Sequence, residues 1–204
     1  MVSMEIIFAV VQVTGIAAIV FGGALLMPVL ARALAHRRRL LRNIAFALLT
    51  LYLLVNLYET LLFREITSHP KFQLSLFWSY RAAFGLYKPG QGYGFYITSG
   101  KLLKQIILNI LFYIPLGYLL PFAWPKLAEG KPASSKKRRP CKLHPFPWVV
   151  VLIGLALSVA TEFTQLFFKL GLFEFDDIFN NALGCFIGAA LYAALMRRQE
   201  KRTT

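Results

Sequence analysis

Five stretches of roughly 20 predominantly apolar residues constrain this 204-residue chain more than any motif it carries. They run over 6–30, 44–63, 103–122, 146–168 and 178–196. At 1.5 Å rise per residue, a helix of about 20 residues crosses the roughly 30 Å hydrocarbon core of a bilayer. In lipid a lone segment can satisfy its own backbone only as a helix. The sequence therefore predicts an all-α fold: a polytopic bundle of about five transmembrane helices forming a single membrane domain, 1–204. Composition agrees, because 57% hydrophobic and 16% charged residues leave too little polar surface for a soluble core and too much apolar content for a disordered chain. Glu5 precedes the first stretch and basic residues only follow it, so it reads as a retained span rather than a cleaved signal.

Lys and Arg near span ends set orientation, since they accumulate on the cytoplasmic side. Of the 23 basic residues, 16 fall in three connected regions: Arg32 to Arg42, Lys126 to Lys142, and Arg197 to Arg202. The amino terminus is then expected outside and the carboxyl terminus in the cytoplasm. Only Glu129 and Glu200 share the basic side; Glu5, Glu59, Glu65, Glu162, Glu174, Asp176 and Asp177 lie elsewhere. The net charge of +14 thus reads as a topological label. Its basic residues are dispersed between apolar runs, so no nucleic-acid partner is expected. The basic stretch 126–144, with Pro132, Ser134 and Ser135, reads as a cytoplasmic linker near anionic lipid. Cys141 on that linker and Cys185 inside a span give no disulfide. No internal repeat of the kind common in transporters is visible.

The segment 65–102 is long for a connection and dense in aromatics, among them Phe72, Phe77, Trp78, Tyr80, Phe84 and Tyr87. It is expected to be an extracytoplasmic loop, with Phe72 to Leu86 as a short amphipathic helix in the membrane interface, followed by a Gly-rich turn from Pro89 to Gly94. It fits either an interfacial belt or a lid over a site.

Polar groups inside a span are costly unless paired, so each one is a functional candidate. Glu162 and Gln165 share a face of the fourth span at i, i+3. In the fifth, Asp177, Asn181, Gly184 and Gly188 form one stripe, whose glycines, like Gly117 of the third span, suit close helix packing. Asn109 in the third span and Asn56 and Glu59 in the second fall at a similar depth, near the outer surface. Glu162, Gln165, Asp176, Asp177, Asn181 and Asn109 are therefore the candidate ligand-binding residues, with Arg64 and Arg81 as cationic partners for Glu162 or for an anionic head group. Asp176 and Asp177 also suit a helix amino terminus.

Paired carboxylates can act as general acid and base, which makes Glu162 and Asp177 the catalytic candidates, or can hold a hard divalent cation. The sequence points to no cofactor and to no metal: His69 is isolated, and His36 and His144 lie on the cytoplasmic side, so a zinc site is not expected. Gly90, Gly92 and Gly94 lack the strand-turn-helix setting of a dinucleotide fingerprint, and no His supports a serine triad.

The run Asn109-x-x-Phe112-x-x-Pro115-Leu116-Gly117-Tyr118-Leu119-Leu120-Pro121, then Glu162-x-x-Gln165, then Asp176-Asp177-x-x-x-Asn181-x-x-Gly184-x-x-x-Gly188 resembles the VanZ-like family of bacterial membrane proteins. The resemblance covers about half the chain, from the third span to the fifth, and the first span looks like an addition to the family core. The family's founding member is associated with low-level teicoplanin resistance, which implies a multi-pass protein of the bacterial cell membrane acting at the envelope. The family often has an Arg shortly before the acidic pair, where this chain has Gly171, with Lys169 close by. The expected partners are membrane lipids and a lipid-linked cell-wall precursor or teichoic-type polymer. The expected role is binding of such an amphiphile in an outer-facing polar pocket. The alternatives are a membrane enzyme acting on a lipid-linked substrate and a lipid transporter.

Overall fold

The computed structural model describes residues 4–62, 66, 68, 69, 71–84, 86, 99–128 and 146–203, with side chains for 15–61, 66, 68, 69, 72–84, 86, 100–128 and 146–199. Helix α1 spans Met4–Ala33, and α2 spans Arg38–Leu57 and continues as a π-helical turn, Tyr58–Leu62. Strand β1 (Lys71–Gln73) and the short helix α3 (Trp78–Ala83) follow. Then come α4 (Ser99–Ala123), α5 (Trp148–Phe168), strand β2 (Leu172–Glu174) and α6 (Phe175–Thr203). Five of the helices are long and apolar enough to cross a membrane, over Gly15–Ala33, Arg38–Leu61, Gly100–Ala123, Trp148–Phe168 and Phe175–Gln199. The chain is a multi-pass, all-α membrane bundle.

Helix α4 is the centre of the bundle, flanked by α6 and α2, with α5 against α6 and α1 against α2. Its own sequence explains this placement. It is apolar nearly all round, as a helix surrounded by other helices must be. Pro115 and Pro121 each remove an intrahelical hydrogen bond, and neighbouring helices make such prolines tolerable in a span. The α4–α6 contact is backbone against backbone. A Cβ on Gly184 would overlap the Ile110 carbonyl oxygen, one on Gly188 that of Ile114, and one on Gly117 that of Cys185. The four-residue spacing on both helices keeps small residues facing carbonyls over two turns, a geometry that favours Cα–H···O contacts. Around this seam pack buried Tyr52, Leu116, Leu119, Val150 and Ala189.

At one end of the bundle lie the carboxyl ends of α1, α4 and α6 and the start of α2, where the described arginines 32, 37–39, 42, 197 and 198 collect. The other end holds α3, the two strands and the start of α6. There the helix expected over Phe72 to Leu86 is shorter, six residues, and a strand precedes it. The strands pair in parallel, with Lys71 opposite Leu172, Phe72 opposite Phe173 and Gln73 opposite Glu174. This pairing ties the segment before α3 to the α5–α6 connection, a constraint between distant parts of the chain that local periodicity does not carry. The connection itself turns on Lys169 (φ 58°) and Gly171 (φ 130°). A side chain is strained at the φ of Gly171, which gives a physical reason for glycine at this position. The Gly-rich turn 89–94 and most of the linker 126–144 lie outside the described residues.

Candidate functional site

Asp176, in the first turn of α6, is fully buried and organises this end. Its Oδ1 accepts the Phe77 backbone N–H at 2.5 Å, and its Oδ2 accepts the Ser79 N–H at 2.9 Å and the Ser79 hydroxyl at 2.5 Å. Instead of capping its own helix, it caps α3. Phe77, the N-cap of α3, sits at φ 57°, a left-handed conformation that costs a non-glycine residue roughly 1–2 kcal/mol and that these bonds hold in place. Tyr80 of α3 donates its hydroxyl to Asn180 Oδ1, and the Phe77 and Phe179 rings meet edge to face at 5.2 Å. Trp78 and Ala82 bury the other side of α3 against Leu102. Helix α3 thus lies clamped over the start of α6 and α4.

Beneath it gather three more carboxyl groups. Glu162 (2% exposed) on α5 accepts the Glu174 backbone N–H at 3.1 Å. Glu174 (4% exposed), the last residue of β2, accepts from Gln105 Nε2 at 3.3 Å. The same nitrogen lies 3.3 and 3.4 Å from the two carboxylate oxygens of Asp177. One amide of α4 therefore serves two acids from different elements. Burial, then the neighbouring charges of Asp177 and Glu162, push the Glu174 carboxyl up to about 9 against the partial relief of the Gln105 bond, so near neutral pH it holds its proton and is a donor. Burial and the nearby aspartates likewise raise the Tyr80 phenol.

The other expected site residues divide. Asn181 joins α6 to α5 through Ser158 Oγ at 2.9 Å. Gln165 (1% exposed) donates to the Thr60 carbonyl at 2.9 Å, linking α5 to the π-turn after α2. Asn56 is buried and donates to the Tyr52 hydroxyl at 3.4 Å, whereas Glu59 is exposed. Asn109 is partly buried on α4, and its Nδ2 has no hydrogen-bond partner among the described residues; the same holds for Gln165 Oε1 and Asn180 Nδ2. Arg81 is exposed and donates to Ser75 Oγ at 2.7 Å and the Leu76 carbonyl at 3.2 Å, within its own segment. Arg64 lies outside the described residues. Gly117, Gly184 and Gly188 form the seam below. Among the described residues, no grouping of three or more His, Cys, Asp or Glu side chains is arranged to hold a metal ion.

Sequence reasoning missed Glu174, Gln105, Asn180 and Ser79. Depth along a helix was the signal it used, and Glu174 and Ser79 belong to connections that fold back over the bundle. Gln105 could have been found as a polar residue one turn before Asn109 on α4.

A family model described as VanZ/LLP1 matches residues 44–197, three-quarters of the chain. The chain belongs to the VanZ/LLP1 family. The match begins inside α2 and ends near the close of the fifth span, so every described acid of the cluster lies within the family region and α1 lies ahead of it. No curated protein and no solved structure matches the chain.

Proposed function

We propose that this VanZ/LLP1 protein resides in the bacterial cell membrane with its acid-lined end facing outward, as the distribution of Lys and Arg implies. There it binds an amphiphile or a lipid-linked envelope component, and so contributes to resistance against glycopeptides such as teicoplanin. One observation carries the reading: Glu162, Glu174 and Asp177 are all buried, Glu174 and Asp177 share the amide of Gln105, and Glu162 accepts the Glu174 backbone N–H. Burying carboxyl groups costs free energy that only pairing and hydrogen bonds offset, and perturbed carboxyls concentrate at functional sites. Carboxyl oxygens with the amides of Asn109, Gln165 and Asn180 nearby suit the hydroxyl, amine or amide groups of a polar head. The apolar bundle accommodates the tail. Helix α3, clamped by Asp176, covers the site.

A second reading, catalysis on a lipid-linked substrate, draws on Glu174: a protonated carboxyl beside Asp177 and Glu162 pairs a general acid with a potential base. The two readings separate by turnover.

The test expresses the protein in a susceptible bacterial host and measures teicoplanin susceptibility alongside membrane abundance. Glu162→Ala and Asp177→Ala are expected to abolish resistance at unchanged abundance; full resistance in both overturns the proposal. An altered envelope-lipid profile in cells expressing the wild type, lost in Glu162→Gln, favours catalysis over binding.

A further inference from the structure

The opposite end of the bundle carries a second polar feature, independent of the acid cluster. Helix α2 begins at Arg38, and its N-cap residue Arg37 makes no side-chain capping bond. The first turn contains no acidic residue, and Arg38, Arg39 and Arg42 stand in its place. This inverts the usual preference, because the amino end of a helix carries partial positive charge and exposed N–H donors, and both call for an anion. Among the described residues, none of the three guanidinium groups makes an ion pair or hydrogen bond.

They open instead onto a cavity of about 580 Å³, within the roughly 300–1,000 Å³ range of small-molecule sites. Arg38, Arg39 and Arg42 line one wall, and among the described residues no acid lines it. The floor is apolar and aromatic, with Phe122 of α4 edge to face against Tyr192 of α6 at 4.9 Å and Met196 beside them. Ala35, at the α1–α2 turn, lines this cavity and also an adjoining one of about 710 Å³ bounded by Arg37, Arg38 and Arg39. A topological label needs only charge near the span ends. It does not need three arginines converging on a concave surface with an apolar floor at an uncapped helix end.

We propose that the uncapped amino end of α2 and the cavity beside it form a binding site for the phosphate head group of an anionic membrane phospholipid. The phosphate oxygens accept from Arg38, Arg39 and Arg42 and complement the α2 dipole, as phosphates do at helix amino termini. The glycerol backbone and upper acyl chains run over Phe122, Met196 and the apolar wall. Basic pockets between transmembrane helices take anionic head groups by the same chemistry. A lipid held there bridges α1, α2, α4 and α6.

The test uses the full chain in nanodiscs of equal phosphatidylglycerol and phosphatidylcholine, released into detergent, with co-retained lipid counted by native mass spectrometry. The wild type is expected to retain phosphatidylglycerol selectively. Arg38→Gln with Arg42→Gln lowers that retention about tenfold or more, given roughly 1 kcal/mol for each basic residue near an anionic head group. Ala35→Trp fills the cavity while keeping every charge, and lowers retention as well. Arg197→Gln with Arg198→Gln removes the same charge from exposed positions of α6 outside the cavity and leaves retention unchanged. Equal losses in the two double variants mean bulk surface charge and overturn the site. Unchanged retention in both the Arg38/Arg42 and Ala35 variants overturns it too, and complete displacement of the lipid by millimolar inorganic phosphate means a small-anion site instead.

Discussion

The α4–α6 seam and the acid-lined end above it are built from the same two helices on opposite principles. In the seam, Gly117, Gly184 and Gly188 bring backbones together and leave no polar side chain to satisfy. One to two turns away, Asp177 on α6 and Gln105 on α4 face each other across bonds of 3.3 and 3.4 Å, with Glu162 and Glu174 beside them. The seam gains van der Waals contact at every turn, whereas the acidic end bears the desolvation of several carboxyl groups. A bundle whose middle is this closely packed can accommodate buried carboxyl groups at one end.

The seam is the most sensitive part of the bundle. Gly184→Leu places a side chain where the Ile110 backbone stands, so the helices must part. Overpacking against rigid backbone costs about 3 kcal/mol or more, and size-exclusion chromatography in detergent should show loss of the folded, monodisperse species. A monodisperse, wild-type-like profile would refute backbone-to-backbone contact there.

Asp176→Ala is the next largest. It strips three hydrogen bonds from the start of α3 and leaves two backbone N–H groups and the Ser79 hydroxyl unpaired, a local loss of about 2–4 kcal/mol. Hydrogen exchange should accelerate over 77–84 while α4 and the rest of α6 keep their protection.

Glu174 sharpens the contrast through pH. Its folded-state value of about 9 lies above the ordinary 4.5, so across that window the folded protein holds a proton that the unfolded chain has released. Its contribution is complete below about pH 4.5 and is lost as pH rises toward 9, at up to about 1.4 kcal/mol per pH unit. The melting temperature should therefore fall between pH 6 and pH 9 in the wild type. Glu174→Gln keeps an acceptor for Gln105 and should flatten that fall, raising the melting temperature at pH 8 by about 3 °C or more.

The smallest effect is expected at Asn181→Ala, which removes the bond to Ser158 and costs about 1 kcal/mol. A thermal shift of a few degrees with an unchanged oligomeric profile is the expected result.

What the sequence made legible follows from what is local. Spans, glycine spacing and the Glu162–Gln165 face are periodic features of single helices, and the family region 44–197 contains the motifs that signalled it. The role of Asp176 was not legible, because its partners Phe77 and Ser79 are nearly 100 residues away and the left-handed turn they occupy has no glycine to announce it. Glu174 was counted among the acids but placed in a connection. Only the parallel pairing of Gln73 with Glu174 shows that the connection turns back into the bundle. Arg81 stands on the exposed side of α3 and hydrogen-bonds to Ser75 and Leu76, contacts that helical spacing alone does not announce.

On the proposed function, the acid cluster is retained for a ligand and not for the fold. The most direct measurement pairs thermal stability with teicoplanin susceptibility for the double variant Glu162→Gln, Asp177→Asn, both from the same expressing strain. The account predicts a melting temperature equal to or above wild type together with lost resistance. Wild-type resistance in a stably folded variant would contradict it.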